Sequence, residues 1–537
     1  MKKMKKILAL LLAMAMVLGM SVTSLAAAKP KDGDAEKVTI NNVEEGATFK
    51  AYQIIDADYN DSGFVGYVWA EGTEDAGKKV TFDREGNVEG LTDALITELA
   101  ANPGDLTVID PFDPTADSLT AGTWMILVTP PAKDAAKVYN PMVVSVYYSV
   151  NGSGSMNEVV GGTVDAAANW TLETTDAFAK SSEITLTKDL DNPEFNTEVK
   201  VGDEVPYTIT SEIPSYDPTY YKDPTFKITD TIVNGLKYTD EPKVYGGQLT
   251  VPAEGGDFAA INAGKLLEKD KDYTLEYTEN STFTVAFTKE YIQKLVNSSK
   301  EERTVTVKYS AVVLDSAVTQ VGENKATLEF SRTPEETDTK EDKEYVFTFA
   351  LHGVFYKVDE AQNKLPEAVF GLYVEDKNGT EAIEWAEDSS VTVSEVGTYT
   401  TSEDGEIKFK GLDGDKVYYL KETKAPNGYS INDTIYKIKF EFDKADDYDG
   451  GNITYTVVVT DNKGNGPQEY TVTYGEIVKN DEFGQIAAGN ATNIPNTKIS
   501  SLPSTGGIGT TIFTVGGCAI MIIAAGLFFA TRRKKAK

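Results

Sequence analysis

Residues 303–313 read RTVTVKYSAVV, and this stretch decides the class of fold. Val305, Val307, Tyr309, Ala311 and Val313 alternate with Thr304, Thr306, Lys308 and Ser310, a period of two that suits a strand with one buried face. The β-branched and aromatic residues favour the same conformation. Moving outward, MVVSVYYSV at 142–150 and TYTVVV at 454–459 repeat the pattern, with Gly, Asn, Asp and Pro between such runs. Many short strands at close spacing predict an all-β chain built of sandwiches. A helical minority is expected at 91–101 (LTDALITELAA), which is amphipathic, and at 289–296. Residues 177–182 and the acidic stretch 333–343 (TPEETDTKEDK) read as linkers. The resulting division is 1–27, 28–181, 182–345, 346–499 and 500–537.

Composition narrows the function. The 537 residues carry 51 Lys+Arg against 84 Asp+Glu, a formal net charge of -33, which argues against a nucleic-acid partner. Cys518 and His352 are the single cysteine and histidine, so neither an internal disulfide nor a Cys/His zinc cluster is available. No cofactor or metal is expected. Asp56, Asp58, Asn60 and Asp61 evoke a calcium loop, yet the sixth and twelfth positions hold Asp61 and Tyr67 where Gly and Glu are required. An acidic surface turn is the expectation there.

The two ends carry addresses. Lys2, Lys3, Lys5 and Lys6 precede an apolar run from Ile7 to Met20 and the small residues Ala26, Ala27 and Ala28, the layout of a secretory signal peptide. Near the other end, Leu502-Pro503-Ser504-Thr505-Gly506 precedes an apolar stretch, 508–530, long enough to span a bilayer, and a basic tail from Arg532. This arrangement resembles the LPXTG sorting signal of Gram-positive surface proteins. The resemblance implies sortase cleavage between Thr505 and Gly506, with the Thr505 carbonyl passed to an amine. The portion left after both ends are removed has 42 basic and 84 acidic residues. Such a charge of one sign favours solubility without naming a ligand.

The middle segment contains Ile184-Thr-Leu-Thr-Lys188, Val201-Gly-Asp-Glu-Val205-Pro-Tyr207, Ile228-Thr-Asp230 and Val321-Gly-Glu-Asn324-Lys-Ala326. It resembles the fimbrial isopeptide-forming domain, a variant of the Cna A-type fold. The third segment contains Phe355-Tyr-Lys357-Val-Asp359, Leu365-Pro-Glu-Ala368-Val-Phe370-Gly-Leu-Tyr373 and Tyr418-Tyr-Leu-Lys-Glu422-Thr-Lys-Ala-Pro426-Asn-Gly-Tyr429. It resembles a Cna B-type domain with its glutamate-bearing E-box. The fold implied is a tandem of immunoglobulin-like β-sandwiches.

In these families a lysine attacks an asparagine carboxamide, expels ammonia and leaves an amide crosslink. Burial favours the neutral, nucleophilic amine, and it disfavours ionisation of the acid that promotes the reaction. The resemblance assigns Lys188, Asp230 and Asn324 to one crosslink, and Lys357, Glu422 and Asn496 to the other, with Asn493 as the rival of Asn496. Such bonds would replace the disulfides this secreted chain cannot form.

The first segment, through KVTINNVEEGATFKAY at 37–52 and Tyr139-Asn-Pro-Met-Val-Val144, resembles the N-terminal domain of backbone pilins. Those domains end in a WxxxVxVYPK motif whose lysine accepts the next subunit. Here the matching place runs from Trp170 to Phe178-Ala179-Lys180, with Phe-Ala in place of Tyr-Pro and the tryptophan one residue further away. The chain as a whole resembles the major (backbone) pilins of Gram-positive sortase-assembled pili, which are structural and not enzymes. This implies a pilus subunit joined through Lys180. Its partners would be other copies of itself, a class C (pilin) sortase, a housekeeping sortase, accessory pilins, peptidoglycan and host surface ligands. The alternative is a wall-anchored adhesin that never polymerises; a two-carboxylate hydrolase has no motif in its favour.

Overall fold

The computed structural model describes residues 30–61, 63–150, 156, 170–190, 198–233, 235–247, 264–278, 281–318, 321–386, 389–442, 453–474, 487–488, 491–499 and 508–534. The expected signal peptide, 1–27, and the 502–506 motif lie outside the described residues. The chain forms two compact units, one of residues 1–317 with 321–347, the other of 318–320 with 348–537.

The first unit begins with a six-stranded antiparallel sheet in the order Trp170–Thr174, Met142–Val150, Gly122–Thr129, Thr48–Asn60, Gly63–Trp69, with Val108–Phe112 also paired to Thr48–Asn60. Alternate residues of its central strands serve two cores. Ala51, Trp124, Ile126 and Val144 pack on one side, while Ile54 and Met125 meet Ile96 and Ala100 of the helix Asp93–Ala101. That helix starts at the Thr92 cap, whose hydroxyl accepts from the Leu95 amide. Gly122 has φ +146°, and a Cβ there would lie 2.1 Å from the Ile55 carbonyl oxygen, so no side chain fits where the two strands meet.

The same unit continues into a sandwich. One sheet holds Leu186–Leu190, Glu204–Glu212, Thr304–Val313, Lys243–Gly246 and Lys265–Leu266, with Leu236–Tyr238 attached. The other holds Tyr273–Thr278, Thr282–Phe287, Phe226–Ile232, Gly322–Ser331 and Thr337–Val346. The facing sides supply one core, including Tyr207, Ile209, Ile228, Val305, Val307 and Leu328. The expected short helix is present at Lys289–Lys294, capped by Thr288.

The second unit pairs Phe349–Asp359 with Glu406–Leu412 on one side and with Thr492–Asn496, in parallel, on the other. An eight-stranded sheet runs Glu381–Ala386, Ser389–Thr400, Val369–Glu375, Tyr418–Lys424, Ile435–Glu441, Ile453–Asp461, Gln468–Tyr474, Ala487–Ala488. The helix Ile508–Lys534 includes a stretch, Phe513–Arg532, apolar and long enough to cross a membrane. Cys518 is on it.

Three expectations need correction. Residues 177–182 are not a linker: Ala177–Phe178 pairs with Ile40–Asn41, and Lys180–Glu183 pairs with Lys137–Asn140. Ala177 and Ala179 are buried, so small residues that read as flexible serve close packing. Residues 333–343 mostly belong to Thr337–Val346, which pairs with Gly322–Ser331 over ten positions. Its charges belong to an edge strand, where they discourage further pairing. Finally, Asp56, Asp58 and Asn60 lie on the strand Thr48–Asn60 rather than in a turn.

Candidate functional site

Strand parity explains the first buried set. In Phe226–Ile232 the inward positions are Phe226, Ile228, Asp230 and Ile232; in Gly322–Ser331 they include Asn324, Ala326, Leu328 and Phe330. Lys188 sits opposite Ile209, and Tyr309 opposite Tyr207, so these side chains enter the same core from the other sheet. One amine, one acid and one amide thus occupy places otherwise given to apolar groups. Lys188 is 2% exposed, and Asp230 and Asn324 are fully buried.

The Lys188 Nζ donates to both the Asp230 carboxylate and the Tyr309 hydroxyl. Tyr238 donates its hydroxyl proton to the second Asp230 oxygen at 2.8 Å. Asn324 Nδ2 donates to the Tyr309 oxygen at 3.0 Å, while Asn324 Oδ1 is buried without a hydrogen-bond partner among the described residues. Loss of hydration pushes the Lys188 amine below the ordinary lysine range, outweighing the opposing pull of Asp230.

The second set also brings together an amine, an acid and an amide, and here all three touch one another. Lys357 lies on Phe349–Asp359, Glu422 on Tyr418–Lys424 and Asn496 at the end of Thr492–Asn496. Lys357 Nζ is 2.5 Å from Asn496 Oδ1 and 3.4 Å from Glu422 Oε2. Glu422 Oε1 accepts from Asn496 Nδ2 at 2.9 Å, and the Asn432 amide donates to Oε2 at 2.7 Å. The carboxylate therefore spans the amine and the amide nitrogen. The rival Asn493, of opposite strand parity, is exposed and donates to Gln362 Oε1.

Burial lowers the Lys357 pKa to about 8, against the raising influence of Glu422. Two consequences have defined signs. An attack by the neutral amine accelerates as pH rises toward about 8 and levels off above it. Because the unfolded lysine, near 10.5, holds its proton more tightly, the uncrosslinked fold also gains stability as pH rises between these values. If Lys357 becomes joined to Asn496, mass measurements on uncrosslinked chain allowed to fold across a pH series should show this rate profile. A rate that falls with pH would contradict it.

Lys180 belongs to neither set. It is half exposed, opposite Asn140 on a paired strand, and its Nζ is 3.0 Å from Asp93 Oδ1 at the start of the helix Asp93–Ala101. An exposed ion pair of this kind contributes about 0–1 kcal/mol, so the amine is released readily. Among the described residues no group of three or more His, Cys, Asp and Glu could hold a metal ion. Tyr309 and Tyr238 were absent from the sequence-derived sets, although Tyr309 has the inward parity of its strand.

Comparison with known proteins adds three family matches: a T6 antigen Ig like domain at 33–181, a prealbumin-like fold domain at 353–463 and an LPXTG cell wall anchor motif at 494–537. The trypsin-resistant surface T6 protein of Streptococcus pyogenes serotype M6 is 27% identical over 590 aligned positions, covering 97% of this chain and 99% of that protein. Fimbrial subunit type 2 of Actinomyces naeslundii is 25% identical, covering 67% of this chain and 62% of that one. Among solved structures, the T6 backbone pilin of serotype M6 Streptococcus pyogenes, a modular three-domain structure, matches with TM-score 0.52 at 20% identity, over 88% of this chain and 100% of that one. That likeness supports the tandem β-domain fold.

Proposed function

We propose that this chain is the backbone subunit of a covalently polymerised pilus on a Gram-positive cell surface. The observation that carries the reading is the near end-to-end alignment with the streptococcal T6 protein, together with the cell wall anchor motif at 494–537. The chain is a cell wall-anchored surface protein and a substrate of sortase. In the finer reading, a class C sortase cleaves after Thr505 and transfers the threonyl group to Lys180 of the next subunit. A housekeeping sortase then joins the completed polymer to peptidoglycan, and accessory pilins decorate it.

Within each subunit the buried sets form amide crosslinks, Lys188 to Asn324 and Lys357 to Asn496. The balance is simple: a neutral amine bonds to the amide carbon, the carbon–nitrogen bond to Nδ2 breaks, and one ammonia leaves. At the second site, Glu422 can move the amine proton to the departing nitrogen because it touches both. Geometry favours the reaction for another reason. A buried lysine paired with an acid costs desolvation that its Coulomb attraction barely repays, whereas an amide carries no charge.

The direct test of the polymer is an immunoblot of wall extracts boiled in detergent. A ladder of high-mass species is expected. A single monomer-sized band would favour a wall-anchored adhesin instead.

A further inference from the structure

The two crosslinking sites share residue types but differ in wiring, and the difference identifies an extra participant. At the second site one carboxylate reaches both the nucleophile and the leaving nitrogen, at 3.4 and 2.9 Å. At the first site the shorter Asp230 accepts from Lys188 Nζ and Tyr238, and the Asn324 amide nitrogen is bonded elsewhere. Its partner is the Tyr309 oxygen, which also takes the Lys188 Nζ. Amine and departing nitrogen therefore meet at a single hydroxyl.

We propose that the Tyr309 hydroxyl is the proton carrier of crosslinking in the middle domain, taking a proton from Lys188 Nζ and giving one to Asn324 Nδ2. This rests on the reading that Lys188 and Asn324 become joined. As the bond from Nζ to the amide carbon forms, the nitrogen gains positive charge and must shed a proton. The tyrosine oxygen receives it while its own proton passes to Nδ2. The bond to Nδ2 breaks, ammonia leaves, and the phenol is restored. No oxidant, metal or cofactor enters the balance.

The surroundings suit that task. Burial, reinforced by the charge of Asp230 and a hydrogen bond to it, pushes the Tyr309 phenol well above its ordinary range, so it keeps its own proton at rest and passes it on only as it takes one from Nζ. Tyr207 stacks on it with ring centroids 5.5 Å apart, and Lys188 Nζ lies 5.1 Å from each ring centre. The Tyr207 hydroxyl and Asn324 Oδ1 are both buried and, among the described residues, neither meets a partner at full hydrogen-bond geometry, while the Asn324 side chain lies close enough to Tyr207 to lower its pKa against the raising effect of burial. The phenol ring of Tyr309 is thus held in place while its oxygen faces the reacting nitrogens.

The test follows both bonds in one full-length chain, produced by cell-free translation in detergent and sampled over time. Digestion and mass spectrometry compare the branched Lys188–Asn324 and Lys357–Asn496 peptides with their linear counterparts. Tyr309→Phe should slow the first branch about a hundredfold, the lower range for proton-transfer catalysis, and leave the second unchanged. An undiminished first branch in this variant would overturn the relay. Fluorinated tyrosine placed at 309 provides a second reading that does not depend on how well Tyr309→Phe folds. The relay predicts a rate that changes with phenol acidity, and a rate indifferent to fluorination overturns it. If the unsubstituted chain yields only the linear peptide at Asn324, the crosslink reading itself falls, a result seen without any variant.

Discussion

Lys180→Ala abolishes the detergent-resistant ladder while the monomer is still exported, folded and attached to the wall. This is the largest effect expected of any single substitution outside the sorting motif, because it removes the proposed acceptor amine and nothing else of consequence. Lys180 contributes only an exposed contact to Asp93, so its loss leaves the fold in place. Thr505→Ala, by contrast, removes the acyl donor and with it both polymerisation and wall attachment. Tandem mass spectrometry of digested pili should find a branched peptide joining Thr505 to Lys180. A branch at another lysine of the first domain would move the acceptor and leave the pilus reading intact. An intact ladder in the Lys180→Ala strain, with no branch anywhere, would favour the adhesin. Lys180 is not the flexible linker residue that its neighbours suggest. Its strand pairs with Lys137–Asn140, so the half-exposed amine stands on an ordered edge, held in an exposed ion pair with Asp93.

The second large effect concerns the internal bonds. A folded fragment of residues 28–501 should weigh less than its sequence by two ammonia molecules. Glu422→Ala restores one and Asp230→Ala the other; a wild-type fragment at full sequence mass would sink the proposal. Lys357 and Asn496 are 139 positions apart, and by the chain-entropy estimate used for disulfides a loop of that order stabilises by about 4–5 kcal/mol. Each acid-to-alanine variant also keeps an uncrosslinked lysine buried without its carboxylate, which adds to the loss. Both should therefore melt and succumb to trypsin well before the parent. Adding reductant should change nothing, because the staples contain no sulfur.

Much of this was legible because strands write their burial into alternate letters. Leu186, Lys188 and Leu190 share a parity, as do Ile228, Asp230 and Ile232, so a polar group at an apolar beat marks itself. The same parity separates Asn496 from Asn493. Tyr309 escaped notice for the converse reason: a tyrosine on an inward beat reads as core, and nothing local tells that its oxygen will meet a lysine 121 positions away. The strands at 177–183 and 337–346 were missed because their side chains are small or charged. What holds them is backbone pairing to a neighbour, and side-chain composition records that poorly.

The parallel pairing of Phe349–Asp359 with Thr492–Asn496 has a mechanical consequence. These are the opening and closing strands of the third domain, so tension applied along a pilus enters by one and leaves by the other. Pulled apart in opposite directions, parallel neighbours load their hydrogen bonds together in shear. Were Lys357 joined to Asn496 as proposed, the force would pass from strand to strand through one covalent bond and bypass the chain between them, since the two residues are 139 positions apart. Unfolding that interval would otherwise lengthen each subunit by up to roughly 450–500 Å of extended chain. The fibre is then inextensible there by connectivity, whatever the thermodynamic stability of the domain it bypasses.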